Sequence, residues 1–447
     1  MTTITTEPLQ WSTTQKVAFR FFLMFFLLYI FFNPNGVIPF SDNLLNIYIK
    51  PFHIIIPWLA QHVLHLPKPV TIFTNGSGDT TYDYLIILFI AVISAIGTII
   101  WSVTSRNTPH YNKLLYWLAV IVRYYVAITM ITYGSVKVIK LQFPSPSLSR
   151  LIEPLGNMSP MGLAWNYLGF STGFNYFAGF AELGCGLLLF FRKTSTLGAI
   201  MGLIVAGNIM AINYCFDVPV KLLSTFLVIM CLFLLIKESK RLINFFFRNR
   251  EALPSNLSPH RFKTRWKNRV LNGFKYLLVL YVVFGDLFSA IQAGAQYGDT
   301  AKKPPLFGLY KVEYFVKNKD TLPPLTTDTT RWSKLIVSRY EGYAQVNYMN
   351  DSVKYFSIKP DTLKHEISFN TMADTIHKFN FSYVIQKPGV LVLNGKWKQD
   401  SLHIRLRRYS EKEFPLLKWP LHNKSCQPKN ISTNPLMFFG FMIFFWL

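Results

Sequence analysis

Seven stretches of mostly apolar residues constrain this chain more than any other feature, because about 20 such residues in a helix cross the hydrocarbon of a bilayer. Two shorter apolar stretches, near 54–63 and 162–170, carry polar interruptions and are predicted to lie in the membrane interface. The sequence therefore predicts a polytopic bundle. The seven predicted spans are 17–32, 84–104, 114–138, 173–191, 196–214, 220–236 and 274–293.

The composition agrees with a membrane protein. Apolar residues make up 51% of the 447 residues and charged residues only 15%, whereas a soluble domain carries roughly 25% charge. These values exclude an ordinary soluble enzyme, a disordered chain and a small disulfide-stapled domain. The four cysteines form no CxxC motif and no histidine lies inside a predicted span, so we expect no haem, zinc or other metal site. No dinucleotide-binding motif is present either.

Basic residues orient the predicted spans. Lys and Arg collect in cytoplasmic loops, and the linker between spans six and seven holds ten of them against two acidic residues. This predicts a multi-pass protein of the bacterial inner membrane with a cytoplasmic N-terminus. Because topology accounts for much of the net charge of +24, we expect the lipid bilayer as a partner and no nucleic acid. The basic residues of the linker are Lys237, Lys240, Arg241, Arg248, Arg250, Arg261, Lys263, Arg265, Lys267 and Arg269.

The first span has two interpretations. Lys16 and Arg20 precede its apolar run, as in a signal peptide, but the chain continues Asn33-Pro34-Asn35 without a small-residue cleavage site. We therefore favour a retained helix. The orientation of the other spans is the same in either case.

After the last span the sequence pattern changes to short alternating segments. KVEYFV, YAQVNY, HEISF and VLVLNG are separated by turn residues, which is typical of antiparallel strands. The fold class is thus mainly α, with a small extracytoplasmic β domain, a barrel or lipocalin-like. The predicted divisions are 1–112 (first helices and outer loop), 113–237 (four-helix core), 238–273 (basic linker), 274–294 (last span), 305–415 (β domain) and 416–447 (irregular tail).

Ionisable groups inside spans are costly and indicate candidate sites. Arg123 and Glu182 each lie about ten residues from the cytoplasmic end of consecutive antiparallel spans, ~15 Å deep at ~1.5 Å per residue. We therefore predict that they form an ion pair, with Asn208 at a similar depth completing a polar layer. The pair either fixes helix packing or binds a polar head group or a proton. Lys137 lies nearer the outer surface, where it either snorkels or joins the site.

A second candidate site lies on the predicted outer face. Asp79 falls in the segment Gly76–Thr81, and Asp217 and Lys221 lie in the tight turn between spans five and six. Asp217 and Lys221 have i,i+4 spacing, and Asp217 is also suited to cap the sixth span. Glycines and alanines recur every fourth residue at Gly198, Gly202 and Ala206, and such faces let membrane helices approach closely.

Residues 114–236 contain, in order, RYYVAITMITYGSVKVIKLQFP, SPMGLAW, FAGFAELGCGLLLFFRKTSTLGA and NYCFDVPVK. This pattern resembles the DoxX-like family, and the whole chain looks like its long bacterial members with a C-terminal β domain. The family's namesake is similar to the small subunit of a thiosulfate:quinone oxidoreductase, so the resemblance implies a quinone ligand. The matched positions are Arg123, Gly134, Lys137, Glu182 and Gly186.

Two functions remain open at this point. One is a redox-linked, quinone-associated subunit or accessory of a membrane oxidoreductase, with a membrane protein partner. The other is a non-catalytic protein that binds lipid or an envelope protein through its β domain. A transporter is disfavoured, because the sequence has no detectable repeated half and no paired broken helices.

Overall fold

A computed structural model describes residues 10–35, 41–72, 78–251, 264–371, 374–387 and 389–418. The chain divides into two compact units. Met1–Ser145 and Met158–Thr300 form the first, called here the helical unit. Pro146–Asn157 and Ala301–Leu447 form the second, called here the barrel unit.

Helices make up nearly all of the regular structure of the helical unit, and two short ones belong to the barrel unit. Three-residue 3₁₀ turns occur at Leu155–Asn157 and Glu411–Glu413. In chain order the helices are α1 (Thr13–Phe32), α2 (Ser41–His62), α3 (Thr81–Thr104), α4 (Asn112–Val138), α5 (Leu148–Leu151), α6 (Pro160–Phe170), α7 (Thr172–Phe190), α8 (Ser195–Cys215), α9 (Lys221–Ile236), α10 (Ser239–Phe246), α11 (Arg265–Tyr297) and α12 (Pro415–Lys418).

Six of the described helices are long and apolar enough to cross a membrane, namely α1, α3, α4, α7, α8 and α11. They coincide with six of the seven predicted spans. The remaining one, 220–236, forms α9, which has only 16 residues and reaches a spanning length only together with α10, across a bend of 79°. The two shorter apolar stretches fall within α2 and α6, and α2 contains Pro51 and Pro57.

Polar side chains fix where these helices begin. The Thr80 hydroxyl accepts the amide of Asp83, whose carboxylate accepts the amide of Thr80, so a capping box starts α3. Ser171 caps α7 by accepting the amide of Phe174. Such caps satisfy amides that have no partner within the helix.

Glycines bring α4 and α7 into close contact. A Cβ added to Gly134 would lie 2.8 Å from the carbonyl oxygen of Gly179, and one added to Gly186 would lie 2.7 Å from that of Ala127. The earlier residue of α4 lies against the later residue of α7, which shows that the two helices are antiparallel. The two contacts also define the register of one helix against the other. The predicted packing role of Gly198 and Gly202 is also confirmed, because a Cβ at either would crowd atoms of a neighbouring helix.

The barrel unit contains a closed antiparallel barrel, as one of the predicted alternatives has it. Eight strands pair in sequence, and β1 closes the barrel by pairing with β9, while β2 only extends the edge beside β1. The strands are β1 (Gly308–Lys317), β2 (Asp320–Thr321), β3 (Trp332–Val337), β4 (Tyr343–Tyr348), β5 (Val353–Asp361), β6 (Glu366–Thr371), β7 (Asp374–Lys387), β8 (Val390–Trp397) and β9 (Asp400–Tyr409).

Aromatic rings fill the barrel interior. Trp332 is 1% exposed and its ring lies 5.4 Å from that of Trp397, which in turn stacks on Phe379 at 4.3 Å. An eight-stranded barrel is just wide enough for side chains to fill it. Most of the predicted tail, from residue 419 onward, lies outside the described residues.

Candidate intramembrane site

A buried ion pair joins α4 to α7. The Lys137 ammonium lies 2.5 Å from Oε1 of Glu182, and the two residues are 5% and 1% exposed. Charges buried in a membrane span are expensive unless they are paired. The pair therefore gives each of the two buried groups an oppositely charged partner.

The geometry of antiparallel helices explains why these two residues meet. A helical side chain leans toward the N-terminus of its own helix. Lys137 therefore leans back toward Gly134, and Glu182 leans toward Gly179. Because Gly134 and Gly179 are in contact, the two charged groups converge beside the glycines.

The predicted pair of Arg123 and Glu182 is therefore wrong. The register of α4 against α7 places Arg123 beside the end of α7, where the ring of the adjacent Tyr124 lies 5.2 Å from that of Phe190. The prediction measured depth from the two helix ends. However, α4 begins about three turns beyond the end of α7, so equal counts from the ends correspond to different depths.

Arg123 instead lines a separate cavity of about 420 Å³. The other residues of this cavity come from α4, the α7–α8 turn, the start of α8, the end of α9 and the start of α10. We call this side of the helical unit the basic end. The cavity is lined by Tyr116, Ala119, Val120, Arg123, Arg192, Lys193, Ser195, Thr196, Leu234, Lys237, Glu238 and Arg241.

The Lys137–Glu182 pair retains unused hydrogen-bonding capacity. Oε2 of Glu182 is buried and has no hydrogen-bond partner among the described residues. Within the same part of the chain, the only hydrogen bond of the Lys137 ammonium goes to Glu182, although an ammonium has three donors. The rings of Tyr133 and Phe143 lie 5.9 and 5.8 Å from this ammonium. The pair can thus offer both a donor and an acceptor beside aromatic faces.

Sequence reasoning missed other polar residues in the last turns of α4 and just after it. The Thr132 hydroxyl donates to Asp286 of α11 at 2.7 Å. The Lys140 ammonium lies 3.3 Å from Asp299 and donates to Ser145 at 2.7 Å. Asp286 lies inside a predicted span, so its charge was a usable signal. Lys140 and Asp299 lie just beyond the predicted span ends, where a charge is unremarkable.

Asn208 does not join this polar region, so the predicted polar layer is wrong in this respect. Its side chain on α8 is exposed. The buried amide of α8 is Asn213, which donates to the Val220 carbonyl and to the Ser224 hydroxyl. Asn208 and Asn213 lie about one and a half turns apart on α8, so their side chains point in different directions. Depth in the membrane alone does not show which of the two faces the neighbouring helices.

The three residues of the second candidate site do come together. Asp217 and Lys221 form an ion pair at 2.6 Å. However, Asp217 does not cap α9. The carboxylate of Asp79 accepts the amides of Lys221 and Leu222, at 2.5 and 2.9 Å. The cap of α9 is therefore supplied from the segment that precedes α3, and the arrangement has a structural explanation.

Metal-binding groups are not concentrated in the described residues. No group of three or more histidine, cysteine, aspartate or glutamate side chains there could hold a metal ion. Cys185, Cys215 and Cys231 are free thiols, and the first and last of them are buried.

Comparison with known proteins identifies one relative. Over 124 residues, 28% of this chain and 79% of the relative, the sequence is 35% identical to the uncharacterized protein YwoB of Bacillus subtilis (strain 168). No family model matches the chain, and no solved structure matches it.

Proposed function

We propose that this chain, which belongs to the same family as the uncharacterized Bacillus subtilis protein YwoB, binds a quinone-like amphiphile. The polar head of this amphiphile would contact Lys137 and Glu182. The binding would take place within a multi-pass helical unit. The observation that carries the proposal is the buried carboxylate oxygen of Glu182 that has no partner among the described residues.

The chemistry of the pair fits a quinone head. A quinone carbonyl needs a hydrogen-bond donor, and the Lys137 ammonium has donors beyond the one that contacts Glu182. A hydroquinone hydroxyl needs an acceptor, and Oε2 of Glu182 is one. The rings of Tyr133 and Phe143 near Lys137 match the planar ring of such a ligand, since aromatic rings pack in offset-stacked or edge-to-face arrangements.

We place α4, α7, α8 and α9 as a DoxX-like four-helix core in a bacterial inner membrane, with the basic end in the cytoplasm and the barrel outside. The bent pair of α9 and α10 would supply the seventh span. In this proposal the chain is a subunit or accessory of a membrane oxidoreductase, and the partner enzyme carries the electron-transfer chemistry.

The alternative function uses the barrel unit. The aromatic filling of the barrel, with Trp332, Phe356 and Phe369 almost fully buried, disfavours a lipocalin-like role in which a lipid occupies the interior. An envelope-protein partner on the outer surface remains the second candidate, because Tyr343 and Tyr355 of neighbouring strands are more than half exposed. Tyrosine is enriched at protein interfaces.

Mass spectrometry of the protein extracted from native membranes tests the proposal. We expect a quinone to co-purify with the full chain, and to be lost on Lys137→Met and on Glu182→Gln. Lys240→Met is the matched control, because it removes the same charge from an exposed position on α10. The melting temperature of each variant in the same detergent shows whether the fold is intact.

Two results would contradict the proposal. One is a quinone content that is equal in the site variants and in Lys240→Met. The other is a preparation without any quinone from membranes that contain it. A double variant Lys137→Met with Glu182→Gln separates the two roles of the pair, since a purely structural pair leaves ligand content unchanged once stability is restored.

A further inference from the structure

The cavity at the basic end carries an unusual charge. Five cationic side chains line it, Arg123, Arg192, Lys193, Lys237 and Arg241, against the single carboxylate of Glu238. Glu238 also forms an ion pair with Arg241. The remaining lining is therefore strongly positive, and clefts lined by one sign of charge concentrate ligands of the opposite sign.

Arg123 distinguishes this cavity from an ordinary cluster of basic loop residues. Arg123 lies about three turns inside α4, level with the end of α7, and its guanidinium is 5.6 Å from the ring of Tyr124. Its Nε atom is buried and has no hydrogen-bond partner among the described residues. A guanidinium beside four other cations, with its buried Nε donor unused, indicates an anion that the cavity receives.

The start of α8 adds a second source of positive potential. Ser195 and Thr196, the first residues of this 21-residue helix, line the cavity. Thr194, at the capping position, donates its hydroxyl backward to the carbonyls of Leu188 and Phe191 and accepts no amide of α8. The first amides of the helix are thus left for another acceptor, and helix N-termini bind phosphate in this way.

We infer that this cavity binds a phosphate group, through Arg123, Arg192 and Lys193 together with the first amides of α8. The inference goes beyond the proposed function, because the cavity lies apart from the Lys137–Glu182 pair. Its volume of about 420 Å³ is in the range of small-molecule sites. The group is carried either by an anionic lipid, as its head, or by a soluble molecule.

The experiment uses the full chain reconstituted in nanodiscs and has two arms. In the first, discs contain phosphatidylcholine and phosphatidylglycerol, and native mass spectrometry measures which lipid stays bound. The choline ammonium should be repelled by the cavity, so we expect phosphatidylglycerol to be retained about tenfold over phosphatidylcholine. In the second arm, inorganic phosphate is titrated calorimetrically into protein in discs of phosphatidylcholine alone.

Matched variants identify the site. Arg192→Gln with Lys193→Gln removes two exposed cations of the α7–α8 turn, so the fold should be unaffected. We expect roughly tenfold weaker binding for each cation removed, as for other charge-assisted hydrogen bonds. Arg123→Gln should act similarly. Lys267→Gln with Arg269→Gln is the control, because both residues are exposed on α11 and neither lines the cavity.

Each outcome decides the question. Retention of phosphatidylglycerol that is lost in the cavity variants but kept in the control supports a lipid head. Binding of inorganic phosphate that is lost in the same variants supports a soluble ligand. The inference is overturned if neither probe binds, or if the control double variant weakens binding as much as the cavity double variant.

Discussion

Arg123 and Lys137 lie about four turns apart on the same helix and carry the same charge, yet their surroundings are opposite. Lys137 is buried against the carboxylate of Glu182, whereas Arg123 faces other cations across a cavity. The carboxylate holds Lys137 in the contact between two helices, and its second oxygen has no partner among the described residues. Arg123 instead borders a cavity with room for an anion. The neighbouring helices decide between these two situations, and the residue type does not.

The largest expected effect comes from breaking the Lys137–Glu182 pair. Glu182→Gln or Lys137→Met leaves one buried charge without its partner, which should lower the free energy of unfolding by about 3–5 kcal/mol. The double substitution should recover most of that loss. Equilibrium unfolding of the full chain in mixed detergent micelles measures all four species of the cycle. Additive single effects would show that the contact contributes nothing.

The next effect concerns the glycine that brings the two helices together. Gly134→Ala places a Cβ 2.8 Å from the Gly179 carbonyl oxygen, and we expect a loss of about 1–3 kcal/mol from overpacking. Gly207→Ala is the control, because nothing lies within 4 Å of the added Cβ. Phosphate binding at the basic end should not change. Equal melting temperatures for the two variants would refute the close approach of α4 and α7.

A smaller effect separates the two carboxylates near the start of α9. Asp79→Ala removes acceptors from two helix amides and should cost about 0.5–2 kcal/mol, as other lost caps do. Asp217→Ala removes a surface ion pair with Lys221, worth about 0–1 kcal/mol. Both aspartates have a left-handed backbone, with φ of 65° at Asp79 and 51° at Asp217, so the strain that Ala adds is common to the two variants. Chemical unfolding of both variants gives the comparison. A larger loss for Asp217→Ala would mean that Asp79 is not the cap of α9.

The smallest effect is expected at Arg123. Arg123→Gln leaves no carboxylate without a partner and removes a cation–π contact with Tyr124, so the free energy of unfolding should fall by no more than about 0.5–1 kcal/mol. A cycle between Arg123 and Glu182 should be additive, in contrast to the cycle between Lys137 and Glu182. Coupling of more than about 1 kcal/mol between Arg123 and Glu182 would remove the contrast between the two cations of α4.

Much of the fold follows from local sequence patterns. Apolar length is enough to locate α1, α3, α4, α7, α8 and α11, and alternation is enough to locate β1, β4, β6 and β8, whereas β3 was not predicted. The exception is α9, because its apolar run is short and the helix axis turns by 79° between α9 and α10. Hydropathy measures the length of an apolar run and carries no information about such a bend.

The site was less predictable, because it depends on how helices slide along one another. Counting residues from helix ends placed Arg123 level with Glu182, and only the contact of Gly134 with Gly179 sets the register that brings Lys137 there instead. The partnership of Asp79 with α9 joins residues 142 positions apart. No local sequence pattern predicts either of these two contacts.

The Asp79 cap also has a consequence for the order in which the molecule assembles. The amides that this carboxylate accepts lie 142 residues later in the chain, and synthesis at roughly 5–20 residues per second separates the two by roughly 7–28 s. During that interval α3 is already complete while its preceding segment has no helix to cap. Closure of this segment onto α9 is therefore a late event in biogenesis, and it can occur only after most of the helical unit has been made.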